Sequence, residues 1–122
     1  MRISKDELQR ILDSGFFLAD KGYIVSCNEY CVTYTKGIRS FRILFEPYSD
    51  ISSVSIFFKD NNEEFNIGWI AFVRENINAN PRKRLDNIII LLDYINNHYE
   101  DITNYQFCKE SEILVKEFIS KK

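Results

Sequence analysis

Tyr23-Ile24-Val25-Ser26-Cys27-Asn28-Glu29-Tyr30-Cys31-Val32-Thr33-Tyr34-Thr35 holds two β-rich runs on either side of one polar step. β-Branched and aromatic side chains suit a pleated surface, and Asn28-Glu29 can return the chain as a tight hairpin. Lys36-Gly37 supplies the next turn. Phe41, Ile43 and Phe45 then alternate with Arg42, Leu44 and Glu46, the period of a half-buried strand. Pro47-Tyr48-Ser49-Asp50 breaks that strand. Val54, Ile56 and Phe58 alternate with Ser53, Ser55 and Phe57, and Asp60-Asn61-Asn62-Glu63 reads as a polar hairpin turn. The alternation of Phe65, Ile67, Trp69 and Ala71 with Asn66, Gly68, Ile70 and Phe72 predicts a further strand. About five consecutive strands on short connections predict an antiparallel meander.

Helices flank this sheet. Ser4-Lys5-Asp6-Glu7 is a capping box, and Leu8, Ile11, Leu12, Gly15, Phe16 and Ala19 follow with helical spacing. Lys21-Gly22 ends that segment, and Gly15 either interrupts the helix or is carried within it at a cost of about 1 kcal/mol. Residues 74–80 read as polar loop. Asn80-Pro81 starts a second helix, with Asn80 as N-cap and Pro81 as its first residue. Leu85, Ile88, Ile89, Leu92, Ile95 and Tyr99 form its apolar stripe. Residues 99–107 read as connector. A last helix is expected over 110–120, with Ile113, Leu114, Glu117 and Phe118 on its inner edge. The order predicts one α+β domain over residues 1–122: a meander sheet, an N-terminal helix and two C-terminal helices, packed mainly on one face.

The composition suits such a domain. Hydrophobic residues make up 45% of 122, with ten Phe, seven Tyr and one Trp, enough for a core without metals or disulfides. A net charge of −2 lacks the basic excess of a phosphate-tracking surface, so nucleic acid is not the expected ligand. No apolar segment follows the N-terminal basic residues, and the longest aliphatic run, Ile88 through Leu92, is five residues against about 20 for a membrane span. Three cysteines make no disulfide framework, and a reducing cytoplasm with free thiols is the expected setting.

Each reactive constellation has a plainer reading beside it. The one histidine, His98, lies near a helix C-terminus, where an imidazolium suits the macrodipole without any catalytic role. Cys27, Cys31, His98 and Cys108 form a Cys₃His zinc set only if the C-terminal segments cross the hairpin, and otherwise are ordinary thiols and a surface imidazole. The carboxylates of Asp6-Glu7, Glu46 with Asp50, Glu63-Glu64 and Glu100-Asp101 lie in turns and helix starts, not across a cleft as paired acid chemistry requires. Four isolated glycines make no phosphate-cradling loop. Arg82-Lys83-Arg84 either binds an acidic group or is a solvated first turn. No catalytic residue and no cofactor site is expected, and the protein is expected to act by binding.

Phe16-Phe17-Leu18-Ala19-Asp20-Lys21-Gly22-Tyr23, the aromatic stretch Phe65-Asn66-Ile67-Gly68-Trp69-Ile70-Ala71-Phe72 and the two closing helices resemble the small immunity proteins of bacterial polymorphic and contact-dependent growth-inhibition toxin systems. The resemblance implies a cytoplasmic antidote that does no chemistry and binds one cognate toxin domain, commonly a nuclease. Complementary charge would favour a basic partner. On that reading, exposed acids in the strand turns are the expected contact surface: Glu46, Asp50, Asp60, Glu63 and Glu64, with Tyr48 as an aromatic anchor. A regulatory or structural adaptor that self-associates through a sheet edge or the long helix is the alternative, and monomer and homodimer stay open. A small Cys/His metal-binding protein is the remaining one.

Overall fold

The computed structural model describes residues 3–45, 52–78 and 83–121. Helices α1 (Lys5–Ser14) and α2 (Phe16–Asp20) lead into strands β1 (Ile24–Cys27), β2 (Cys31–Lys36), β3 (Arg39–Phe45), β4 (Ser52–Phe58) and β5 (Glu63–Asn66). Helices α3 (Ile67–Glu75), α4 (Arg84–Asn97), α5 (Tyr99–Ile102) and α6 (Tyr105–Ser120) complete the chain. The sheet is an antiparallel meander in the order β1-β2-β3-β4-β5, as the alternation predicts.

Register sorts the strand residues onto two faces. Val32, Tyr34, Phe41, Ile43, Val54 and Ile56 are fully or almost fully buried beneath the helices. Each such side chain contributes roughly 1.5–3 kcal/mol by leaving water. The opposite face is a thinner cover: Thr35 and Leu44 are exposed, and Thr33, Ser40 and Arg42 are half-buried. Ile11, Leu18, Ile67, Ile88, Leu92 and Ile95 complete the core from the helical layer.

The N-terminal capping box forms as read. The Glu7 amide donates to Ser4 Oγ at 3.1 Å, and the Ser4 amide donates to Glu7 Oε1 at 3.2 Å. The helix does break at Gly15, and a side chain is excluded there for a steric reason. A Cβ there would meet the Tyr34 hydroxyl and lie 2.8 Å from Tyr34 Cζ, so the missing side chain lets α1 lie against β2.

Four expectations need correction. The predicted strand over Phe65–Phe72 ends at Asn66, whose Oδ1 accepts the Trp69 amide at 3.0 Å and caps α3. Ile67, Ile70 and Ala71 are buried at helical, not alternate, spacing. Arg74 and Glu75, read as loop, finish that helix, and Asn76 closes it at φ 56°. The expected start at Asn80 and Pro81 lies outside the described residues; the described part of α4 begins at Arg84 with Lys83 at its N-cap. Residues 99–107, read as connector, hold α5 and the first turn of α6, which Asn104 Oδ1 caps by accepting from the Phe107 amide. The inner edge of the last helix also differs from the expected one. Cys108 and Ser111 are buried there, whereas Ile113, Leu114 and Glu117 face out and Phe118 is half-buried.

Candidate partner-binding surface

The expected acidic surface divides. Glu46, Tyr48 and Asp50 lie outside the described residues. Asp60 is exposed in the β4–β5 turn. Glu63 serves the fold: its carboxylate accepts from the Tyr105 hydroxyl and from Lys109 Nζ at 3.1 Å. Those bonds, Tyr105 first and Lys109 second, hold its carboxyl below the usual range. They also tie β5 to α6, and the Tyr105 ring packs on Phe58 and Phe65 at 5.5 and 5.9 Å. Glu64 points to the other side of the sheet, accepting from Ser55 Oγ at 2.6 Å and lying 3.6 Å from Arg42 Nη1.

The remaining candidates are placed apart. Cys27 pairs in register with Val32, which sends Cys31 to the opposite face of the sheet. Cys108 is fully buried, its Sγ donating to the Ile102 carbonyl at 3.2 Å, and burial pushes its thiol up to about 12. His98 caps the end of α4, packs on the Tyr94 ring at 4.5 Å and lies 3.6 Å from Glu75 Oε1. Among the described residues, no group of three or more His, Cys, Asp and Glu side chains is arranged to hold a metal ion. None of the helices among them is long and apolar enough to cross a membrane.

In the Arg82-Lys83-Arg84 cluster, Arg84 is buried rather than solvated. Its Nε and Nη2 donate to the two Glu7 oxygens at 2.9 and 2.7 Å, and its guanidinium lies 5.4 Å from the Phe45 ring centroid. This fork joins α4 to α1 and holds the Glu7 carboxyl below its ordinary range.

The feature that sequence reasoning missed stands where α3 meets α6. Trp69, Phe72 and Phe118 form a three-ring cluster with centroids 5.0–6.3 Å apart and tilted or edge-on planes. Trp69 is 38% exposed, and Leu114, on α6 near Phe72 and Phe118, is 36% exposed. Three concavities border the rings. One of about 250 Å³ has Trp69, Phe72, Phe118 and Leu91 in its wall. A second, more open one runs along Phe72, Leu114 and Phe118 with Glu75, Glu117, Arg74 and Lys121 around it. A third, of about 240 Å³, sets Trp69, Ile70 and Val115 between Glu64 and Glu112. Glu64, expected as a contact from its place in the turn, thus borders the aromatic ledge. Half-exposed rings between hollows make this surface the candidate for binding a protein. No protein-family model, curated protein or solved structure matches the chain.

Proposed function

We propose that this protein is a non-enzymatic, cytoplasmic inhibitor of the immunity type, which neutralises a cognate bacterial toxin domain by binding it. The Trp69–Phe72–Phe118 ledge carries this reading. Tryptophan and its aromatic neighbours lose little side-chain entropy on docking and bring large apolar area, so they dominate binding energy where they meet a partner. Glu64, Glu75, Glu112 and Glu117 border the second and third concavities with Arg74 and Lys121, and Arg42, Lys109 and Lys116 pair with Glu64 and Glu112, so a basic partner would compete with the chain's own cations for these carboxylates. A nuclease domain, whose substrate is a polyanion, is such a partner.

The test is to look for a toxin domain encoded beside this chain and to co-express the two in a host that the toxin kills; a neighbourhood without one counts against the reading. The wild-type chain should restore growth and co-purify with the toxin. Trp69→Ala should weaken the complex at least about 30-fold, the loss of a hot spot worth about 2 kcal/mol. Unprotected cells, or wild-type affinity in the Trp69 variant, would sink the reading.

A further inference from the structure

A second cluster lies where α2, the β2–β3 hairpin and α5 meet, and its charged groups are cations. Lys36 and Arg39 are direct cross-strand partners at the end of β2 and β3. Like charges in that position repel and destabilise a sheet unless something compensates them. Lys21 joins them through the backbone: Lys36 Nζ donates to the Lys21 carbonyl at 2.6 Å. Two tyrosines stand between the cations. Their hydroxyls, of Tyr23 and Tyr99, are 2.9 Å apart. Lys21 Nζ lies 4.4 Å from the Tyr99 ring centroid, and Lys36 Nζ 5.9 Å from that of Tyr23.

The donors outnumber the acceptors. Arg39 Nη1 donates to the Thr103 carbonyl at 3.3 Å, and its buried Nε has no acceptor among the described residues. One proton bridges the two phenols, which leaves the other phenol proton to donate elsewhere. Burial and the Tyr99 hydroxyl raise the Tyr23 phenol, and the nearby Arg39 charge only partly offsets this, so the phenol keeps its proton at neutral pH. The acids adjacent in sequence to Lys21 and Tyr99, which are Asp20, Glu100 and Asp101, are exposed. The ion pairs among the described residues involve none of Lys21, Lys36 and Arg39.

We propose that Lys21, Lys36, Arg39 and the hydroxyl of Tyr99, which the buried Tyr23 hydroxyl orients, bind a phosphate group. Three cations and a phenol proton, with no carboxylate among them, match an oxyanion of charge about −1.5 to −2 better than a monoanion. The Lys21 carbonyl holds the Lys36 ammonium in place before any ligand arrives, and the Thr103 carbonyl does the same for the guanidinium. This site does not depend on the aromatic ledge or on the nature of the toxin.

The experiment is an amide NMR titration with inorganic phosphate at constant ionic strength, with sodium acetate as the comparison. Saturable shifts are expected at residues 21–23, 36–39 and 99–103. The Lys21→Gln/Lys36→Gln double variant alters two exposed side chains, and it should keep the native spectrum while binding at least ten-fold more weakly. Glycerol phosphate and a phosphoserine tripeptide, titrated likewise, distinguish a small phosphorylated molecule from a modified chain as the source; tighter binding of either than inorganic phosphate supports the site. Absence of saturation with all three phosphates, equal affinity for acetate, or undiminished binding in the double variant would overturn it.

Discussion

Glu7 does two jobs at once. It closes the capping box of α1 and receives the Arg84 fork from α4. The Arg84 side chain is only 4% exposed, so removing Glu7 withdraws a bidentate carboxylate from a buried cation. Glu7→Ala should therefore cost about 3–5 kcal/mol in urea unfolding. The pH dependence has a definite sign. The folded-state Glu7 pKa lies below its ordinary value of 4.5, so this stabilisation is fully present above that value and is lost as pH falls through the depressed one. Acid titration of unfolding free energy should show wild type and Glu7→Gln converging in that window. A constant gap down to the acid limit would contradict it. Tyr34 offers a second residue-scale test. Its buried hydroxyl has no hydrogen-bond partner among the described residues and lies where a side chain at position 15 would go. Tyr34→Phe should be neutral or stabilise by about 1 kcal/mol. Gly15→Ala should cost about 1–3 kcal/mol despite alanine's helix propensity. The double variant should recover only part of that, since Tyr34 Cζ still crowds the new methyl group.

At the scale of elements, α3 is where sequence and structure part. The alternation in Phe65-Asn66-Ile67-Gly68-Trp69-Ile70-Ala71-Phe72 fits a strand as well as a buried helix, because a short apolar run carries both periods. The Asn66 cap decides the outcome, and Asn66→Ala should cost about 1 kcal/mol in thermal or urea unfolding. Unchanged stability would mean that packing alone sets the boundary. The meander was legible because Val54, Ile56 and Phe58 on one strand and Phe41, Ile43 and Phe45 on its neighbour alternate cleanly. The capping box was legible because both of its residues are local in sequence. The start of the last helix, at Asn104, was not legible because it lacks the acidic first turn that marks α1, and its inner face is set by the packing of Cys108 and Ser111, which leaves Ile113 and Leu114 outward. The aromatic ledge was not legible at all. It exists only because α3 is a helix and α6 lies beside it, bringing Phe118 to Trp69 across nearly fifty residues of chain.

Across the whole molecule, the chemistry is sorted by place. One face of the sheet carries the helices; the opposite face is polar, with Arg42, Ser55 and Glu64 linked across three strands. The aromatic ledge and its carboxylates occupy the α3–α6 side, and the uncompensated cations gather around Tyr23 and Tyr99. The net charge of −2 therefore carries no information on where the cations gather. Docking through the ledge should bury Trp69, so its fluorescence should shift to the blue on complex formation, whereas binding to an acidic patch elsewhere would leave the emission unchanged.

The buried thiol of Cys108 gives the protein a built-in clock for its own opening. Thiolates, not thiols, attack an aromatic disulfide reagent, and a group pushed up to about 12 and sealed beneath α5 and α6 presents almost none. Cys27 is exposed and Cys31 half-buried. Under native conditions label should therefore reach Cys27 and Cys31 first, and Cys108 only as fast as the α5–α6 unit swings away from the sheet. The slow phase would time that excursion without mutation or denaturant, and a partner clamped across α3 and α6 should lengthen it. Release of all three equivalents in a single fast phase would mean that this part of the core breathes freely.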